Sequence, residues 1–367
     1  MNQLQMVGPF AGIVDAVPAP QKPPNAFDDI LNFFCIHGRL QSRPRMGNFD
    51  APADGAAIVS AVTFRDINGF YHSLILTTVS AYYLDDDGYH LLTDPTATTV
   101  HTGLPYALAL INERVYFSNG SKKIWYADGS QTLKVAGDVP GACRFMMVLG
   151  AHLLGGYWTE PEPGLSGSLE YPNRVRWSAS GDANDWTSFG SGFTDLLEVP
   201  DVITGMCTLG RNGYVFHQNG IIIVYPTGDA SAPFAFETYS NNIQAGSSGL
   251  GCAIPYTLAT YGNTAGFVAH DDIYLFNGVE LRAIGHSVKR RIFAEFSNPA
   301  ITRAWMVPNM GRNYQCLSYW LFPGKTFPDF FGDVNTTWIY MLDEGTWQRA
   351  TFLGGGPVTW VGNVQIR

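Results

Sequence analysis

The chain has 367 residues, 46% hydrophobic and 14% aromatic, yet only 14% charged, with a formal net charge of −9. Soluble domains usually carry about 25% charged residues, so much of this surface is expected to face partners rather than water. The acidic balance and scattered basic residues, densest at Lys289-Arg290-Arg291, exclude a dedicated nucleic-acid-binding domain, whose grip needs Lys and Arg to displace counterions.

The five cysteines, Cys35, Cys143, Cys207, Cys252 and Cys316, are dispersed and form no C-x-x-C pair. That pattern predicts buried free thiols and assembly in a reducing cytoplasm rather than a disulfide frame or a zinc site. The opening MNQLQMVGPFAGIVDAVPAP has no basic segment followed by a long apolar core, so it does not read as a signal peptide. No window approaches the ~20 apolar residues of a membrane helix, which predicts no membrane span.

Residues 1–50 are proline-rich and predict an extended arm, with one short helix around Ala26 to Phe34. Residues 51–367 predict one β-propeller domain. A loose repeat runs through them: AYYLDDDG from Ala81, KIWYADG from Lys123, VRWSASGD from Val175, IIIVYPTGD from Ile221, IYLFNG from Ile273 and WIYMLDEG from Trp338. Each is a short apolar or aromatic strand followed by a turn with Gly and usually Asp or Asn. Aligning Tyr83, Trp125, Trp177, Val224, Leu275 and Ile339 gives spacings of 42, 52, 47, 51 and 64 residues. A second strand-like run precedes most of them. Units of about 40 to 50 residues built from short strands are the signature of a propeller, and six to seven blades are expected, with TWQRATFLGGGPVTWVGNVQIR able to complete the set. A pair of β-sandwiches or an irregular solenoid is the structural rival.

The stretch RVRWSASGDANDW, Arg174 to Trp186, opens with period-two alternation, then runs into turn formers. An Asp box fails here because Ser180, not Asp, stands two residues after Ser178. Asp182, Asn184 and Asp185 supply too few oxygens for calcium. A tight turn remains, with Asp and Asn bonding their own backbone and Trp177 and Trp186 packed in the blade. Asp85-Asp86-Asp87-Gly88 reads as a solvated hairpin tip. His270-Asp271-Asp272 and His217-Gln218-Asn219-Gly220 both fall where the repeat places turns, and are expected to be solvated. No nucleophile elbow, Walker loop, dinucleotide fingerprint or zinc histidine pair occurs. The expectation is a protein that is not an enzyme, with no catalytic residue, no metal site and no cofactor.

The ordered series GPFAGIVDAVPAP, GRLQSRPRMG, RVRWSASGDANDW, FHQNGIIIVYP, GLGC and DDIYLFNG resembles the tail nozzle or head–tail stabilisation proteins of short-tailed phages. Trp177, Ser178, Gly181, Asp182 and Trp186 match that family's mid-chain turn. Gly249 and Gly251, within Ser248-Gly249-Leu250-Gly251, match its glycine junction, and Asp272 through Gly278 match a later blade. The likeness covers most of residues 8–290; many nozzle proteins are longer, and residues 313–367 resemble nothing beyond a strand pattern.

The resemblance implies a structural virion protein, assembled in the host cytoplasm and located in the tail. It would be a homo-oligomer, six copies surrounding the tail axis, that contacts the portal adaptor and lets DNA pass transiently. The acidic charge suits a lumen that repels DNA, and few charges suit large permanent interfaces. The alternative is a glycan-binding or carbohydrate-active propeller, a receptor-binding module.

Overall fold

The computed structural model describes residues 10–15, 21–23, 25–29, 31, 33–36, 39–42, 52, 54–94, 104–121, 123–162, 167–199, 201–239, 250–296, 302–311, 314–322 and 336–351. After a hairpin of β1 (Phe33–Ile36) and β2 (Arg39–Ser42), six four-stranded antiparallel meanders follow in chain order. Blade one comprises β3 (Ile58–Arg65), β4 (Tyr71–Thr77), β5 (Ala81–Asp85) and β6 (Gly88–Leu91). Blade two comprises β7 (Ala107–Ile111), β8 (Arg114–Ser118), β9 (Trp125–Ala127) and β10 (Lys134–Val135). Blade three has the longest central strands, β12 (His152–Pro161) and β13 (Ser168–Trp177), between β11 (Ala142–Leu149) and β14 (Gly192–Asp195). Blade four comprises β15 (Ile203–Leu209), β16 (Asn212–His217), β17 (Ile221–Pro226) and β18 (Phe234–Thr238). Blade five comprises β19 (Ala259–Tyr261), β20 (Thr264–Val268), β21 (Ile273–Phe276) and β22 (Leu281–Ala283). The helix α1 (Lys289–Glu295) precedes blade six, which comprises β23 (Arg303–Gly311), β24 (Tyr314–Phe322), β25 (Thr336–Met341) and β26 (Thr346–Thr351). The fold is an all-β propeller of six blades.

Every residue aligned in the sequence repeat, from Tyr83 to Ile339, falls on the third strand of its blade. The repeat was therefore a register of real blades. Second strands are buried on both faces: Gly213 to His217 of β16 and Ala265 to Val268 of β20 are unbroken buried runs. A strand covered on both faces has no solvent side, so alternation is lost there.

The chain divides into two compact units. The first contains blades one to four. Phe64, Leu74, Tyr83, Phe117 and Trp125 fill the space between blades one and two; Ile111, Tyr116, Cys143, Trp158 and Trp186 fill that between blades two and three. Within this unit the first strand of each blade lies next to the first strand of its neighbour, which makes these the inner strands. The second unit contains the N-terminal segment, α1 and blades five and six, around Ile13, Val268, Ile292, Tyr319, Trp338 and Trp347.

Among the described residues of the N-terminal segment, Ile13 is a core residue. The Ile13 N–H donates to the Trp347 carbonyl at 2.9 Å and the Asp15 N–H to that of Ser287 at 2.8 Å, while Leu31 bridges Arg349 on β26. The arm thus covers the outer edge of blade six, an edge that would otherwise present unpaired backbone. Asp29 fixes it there by accepting from both Arg349 Nη1 (2.9 Å) and Arg291 Nη2 (3.1 Å). The helix expected over Ala26 to Phe34 is absent from the described residues of that stretch. Phe33 to Ile36 instead form a strand, because an aromatic and β-branched run meets a partner two residues on, with Ile36 opposite Arg39. Among the described residues no helix is long and apolar enough to cross a membrane. Of the final segment expected to complete the blades, 346–367, Thr346–Thr351 form β26 of blade six and 352–367 lie outside the described residues.

Candidate functional site: the corner and outer face of blade three

Sequence singles out the turn after β13, and its construction is local. Asp182 accepts from the Asn184 N–H at 2.9 Å, and Asp185 from the N–H groups of Thr187 (3.1 Å) and Ser188 (2.9 Å). These are the short side-chain-to-backbone bonds that make Asp a turn residue. Ser178 is fully buried; its hydroxyl accepts from the Leu153 N–H at 3.0 Å and donates to the Ala179 carbonyl at 3.1 Å. Gly181 has φ +78°, and its carbonyl accepts from Asn112 Nδ2 of blade two at 2.9 Å.

The two tryptophans point to different neighbours. Trp186 meets Trp158 edge to face at 5.3 Å, in the core shared with blade two, and its indole donates to the Ala183 carbonyl at 2.9 Å. Trp177 instead packs on Phe234 (5.6 Å) and Phe236 (6.0 Å) of blade four. One turn therefore bolts its blade to both flanking blades.

The outer face of the same blade carries a lattice that the sequence reading did not single out. Glu160 on β12 accepts from Arg176 Nε (2.7 Å) and Nη2 (2.8 Å), and from Arg174 Nη1 at 3.2 to 3.3 Å. Arg174 makes a second two-pronged pair with Asp195 on β14, Nε to Oδ1 at 2.7 Å and Nη2 to Oδ2 at 2.9 Å. Both guanidinium groups also lie over Phe193, at 4.4 and 4.5 Å, and Arg174 over Tyr171 at 3.8 Å. The Arg174 hydrogen bonds hold the Asp195 carboxyl below its usual range against the opposing effect of burial. Hydrogen bonding to Asp195, reinforced by Glu160, keeps Arg174 firmly protonated. The signal was present as Arg-x-Arg on one face of β13 with an acid on each adjoining strand. With its oxygens bonded to two guanidiniums, Glu160 cross-links β12 to β13.

The remaining predicted residues are scattered and each has a local role. Gly251 passes so close to blade four that a Cβ there would lie 2.2 Å from the His217 carbonyl and 2.5 Å from the Gly220 nitrogen. Gly249 lies outside the described residues. Asp272 bonds the Ile273 N–H at 2.7 Å and pairs with Lys289 at 3.1 Å, ahead of α1. Gly278 turns between β21 and β22 with φ +92°.

The expectation of solvated turns is corrected at two of these positions. His217 is fully buried, with Nδ1 3.0 Å from the Asp201 carbonyl and 3.2 Å from its Oδ1, and Asp272 is 4% exposed. Both sit at the end of buried second strands or the start of third strands, where neighbouring backbone covers them. Burial holds the His217 imidazole below its usual range despite the nearby Asp201. His270 and Asp271 are exposed, as are Asp86 and Asp87, while Asp85 accepts from the Asp87 N–H and pairs with His90 at 2.9 Å. Cys143, Cys207 and Cys252 are buried free thiols.

A second feature, also missed by sequence, is a groove of about 540 Å³ at the turn between β3 and β4. Arg65, Asp66, Ile67, Asn68, Leu110 and Glu113 line it. Asp66 is buried and accepts from the Asn68 and Phe70 N–H groups, with His72 Nε2 at 3.1 Å. Burial alone would raise the Asp66 carboxyl; His72 and these amides outweigh it and hold it below its usual range. Among the described residues no group of three or more His, Cys, Asp or Glu side chains is placed to hold a metal ion.

No protein family's profile and no curated protein sequence matches the chain. Solved structures do. The extracellular domain assigned to a hybrid two-component system of B. thetaiotaomicron aligns with a TM-score of 0.50 at 12% identity, over 83% of this chain and 34% of that one. The chain thus spans about a third of that protein's length. The WD40 domain of Neurospora crassa Pan2 aligns at 12% identity with a TM-score of 0.44, over 83% of this chain and 82% of that one. An ancestral GH74 enzyme aligns at 9% identity with a TM-score of 0.45, over 82% of this chain and 39% of that one. The likeness is one of fold.

Proposed function

We propose that this chain is a structural propeller that works by packing against other chains, as a repeated subunit in the tail of a short-tailed phage. In this reading six copies surround the tail axis beside the portal adaptor, and DNA passes in transit. The observation that carries the reading is how the prominent polar groups of blade three are spent. Glu160, Arg174, Arg176 and Asp195 cross-link three strands, and the Ser178 to Trp186 turn locks neighbouring blades. Such bracing favours a fixed shape over a reacting centre.

Large apolar side chains stand in solvent beside these rigid parts: Ile67 and Phe70 at the groove, and Phe189, Phe193 and Leu197 along the outer edge of blade three. Exposed apolar clusters of this kind suit subunit contacts. The ordered resemblance over residues 8–290 supplies the specific assignment to a phage tail, and the net charge of −9 suits a passage that DNA must not adhere to. The test is electron microscopy of purified virions with an antibody against this chain. Label at the tail, on a cyclic assembly, is expected; a monomer absent from the tail would overturn the assignment. Hydrolysis of a glycan by the purified chain would overturn the structural role itself.

A further inference from the structure

Five Asn-Gly dipeptides punctuate the chain, at Asn68, Asn119, Asn212, Asn219 and Asn277. Each has the composition that permits the following backbone nitrogen to attack the Asn side chain, because glycine adds no Cβ to block the approach. The fold treats them very differently.

Asn119 is buried, away from the solvent base that must take the glycine proton. Asn212 opens β16, where Gly213 is held in the ladder opposite both Thr208 and Val224. At Asn219 the departing amide is itself engaged, Nδ2 donating to Asp201 Oδ2 at 2.8 Å. At Asn68 the Asp66 carboxylate, which accepts the Asn68 N–H at 2.9 Å, opposes any further negative charge developing beside it.

Asn277 is exposed on the tip between β21 and β22, and Gly278 has φ +92°. Its side-chain oxygen accepts two backbone N–H groups, Val279 at 3.0 Å and Glu280 at 2.7 Å. Since both neighbours are donors, the oxygen and not the nitrogen faces them.

We infer that Asn277 is a site of spontaneous, structure-promoted deamidation. The Gly278 nitrogen, after losing its proton to solvent base, bonds to Cγ of Asn277. The negative charge that develops on Oδ1 sits between the Val279 and Glu280 N–H groups, an arrangement equivalent to an oxyanion hole. The Cγ–Nδ2 bond then breaks and ammonia leaves with a proton from solvent. Water opens the cyclic imide at either carbonyl, giving Asp or isoaspartate. The product carries one more negative charge than the original −9. In the isoaspartate form the extra backbone methylene disrupts the turn in which the Asn277 N–H donates to the Glu280 carbonyl.

The experiment is to hold the purified full-length chain in mildly alkaline buffer and follow charge by isoelectric focusing, with peptide mapping and isoaspartyl methyltransferase labelling to place the change. Asn277 is expected to convert about a hundredfold faster than any of the other four, the low end of the effect of one oxyanion-hole donor. Asn277→Ser, which keeps an acceptor oxygen and cannot cyclise, is expected to abolish the first acidic species while leaving the circular dichroism unchanged. Equal or faster conversion at any other Asn-Gly pair, or no conversion at Asn277 once any of them has reacted, overturns the inference. A first acidic species that persists in Asn277→Ser overturns it as well.

Discussion

Replacing Trp186 by Ala removes the side chain through which the blade-three turn grips blade two. A tryptophan buries about 200 Å², and at about 25 cal/mol per Å² this bounds the transfer loss near 5 kcal/mol. Truncations of large aromatic residues in packed cores cost about 3 to 5 kcal/mol. Two further losses belong to this site: the edge-to-face contact with Trp158 at 5.3 Å, and the bond that the Ala183 carbonyl receives at 2.9 Å. We therefore expect Trp186→Ala to destabilise the first unit by about 4 kcal/mol. Urea unfolding followed by circular dichroism measures this, since a shift of midpoint at constant slope reports stability directly. Trp186→Phe keeps the ring contact and loses the N–H, so about half of the loss should return. A cost below about 1 kcal/mol for Trp186→Ala would show that the turn is an ornament of the blade and not its bolt.

Three other outcomes test the remaining contacts. Glu160→Gln leaves Arg174 and Arg176 poorly compensated in a mostly buried position, and a loss of about 3 kcal/mol in the same urea assay is expected. Gly251→Ala places a methyl 2.2 Å from the His217 carbonyl, so backbone must move, and a loss of about 2 kcal/mol with a lower melting temperature is expected. Asp66 has a carboxyl held below its usual range, so its contribution to stability is present above the unfolded-state value of 3.8 and lost as pH falls through the folded value. Acid unfolding of Asp66→Asn should accordingly be shallower in that window than that of the parent chain, and superimposable curves would refute the coupling.

The blades were legible because their third strands are marked. Tyr83, Trp125 and Trp177 each follow a turn at a repeating interval, and aromatic side chains between two sheets leave a strong periodic trace. The number of strands per blade was less visible, because outer strands such as β10 and β22 are two or three residues long and partly exposed. The helix expected near Ala26 failed because a short apolar run has no intrinsic preference strong enough to resist a pairing partner. The turn chemistry of Asp182 and Asp185 could be read directly, since those bonds reach only two or three residues. The Glu160 lattice could not. It joins residues 14 to 21 positions apart through strand register, and register is set by the assembled sheet.

The seating of Ile13 against Trp347 ties together residues 334 positions apart in sequence. The strands of blades one to four all lie within residues 58–238, whereas the other unit draws on residues from both before and after them. The segment around Ile13 must then wait until blade six has been made before its resting place exists. Contacts of such long sequence separation form late and slowly. During that interval the Phe10 to Val14 stretch lacks the Trp347 carbonyl and the core that receive it in the finished fold.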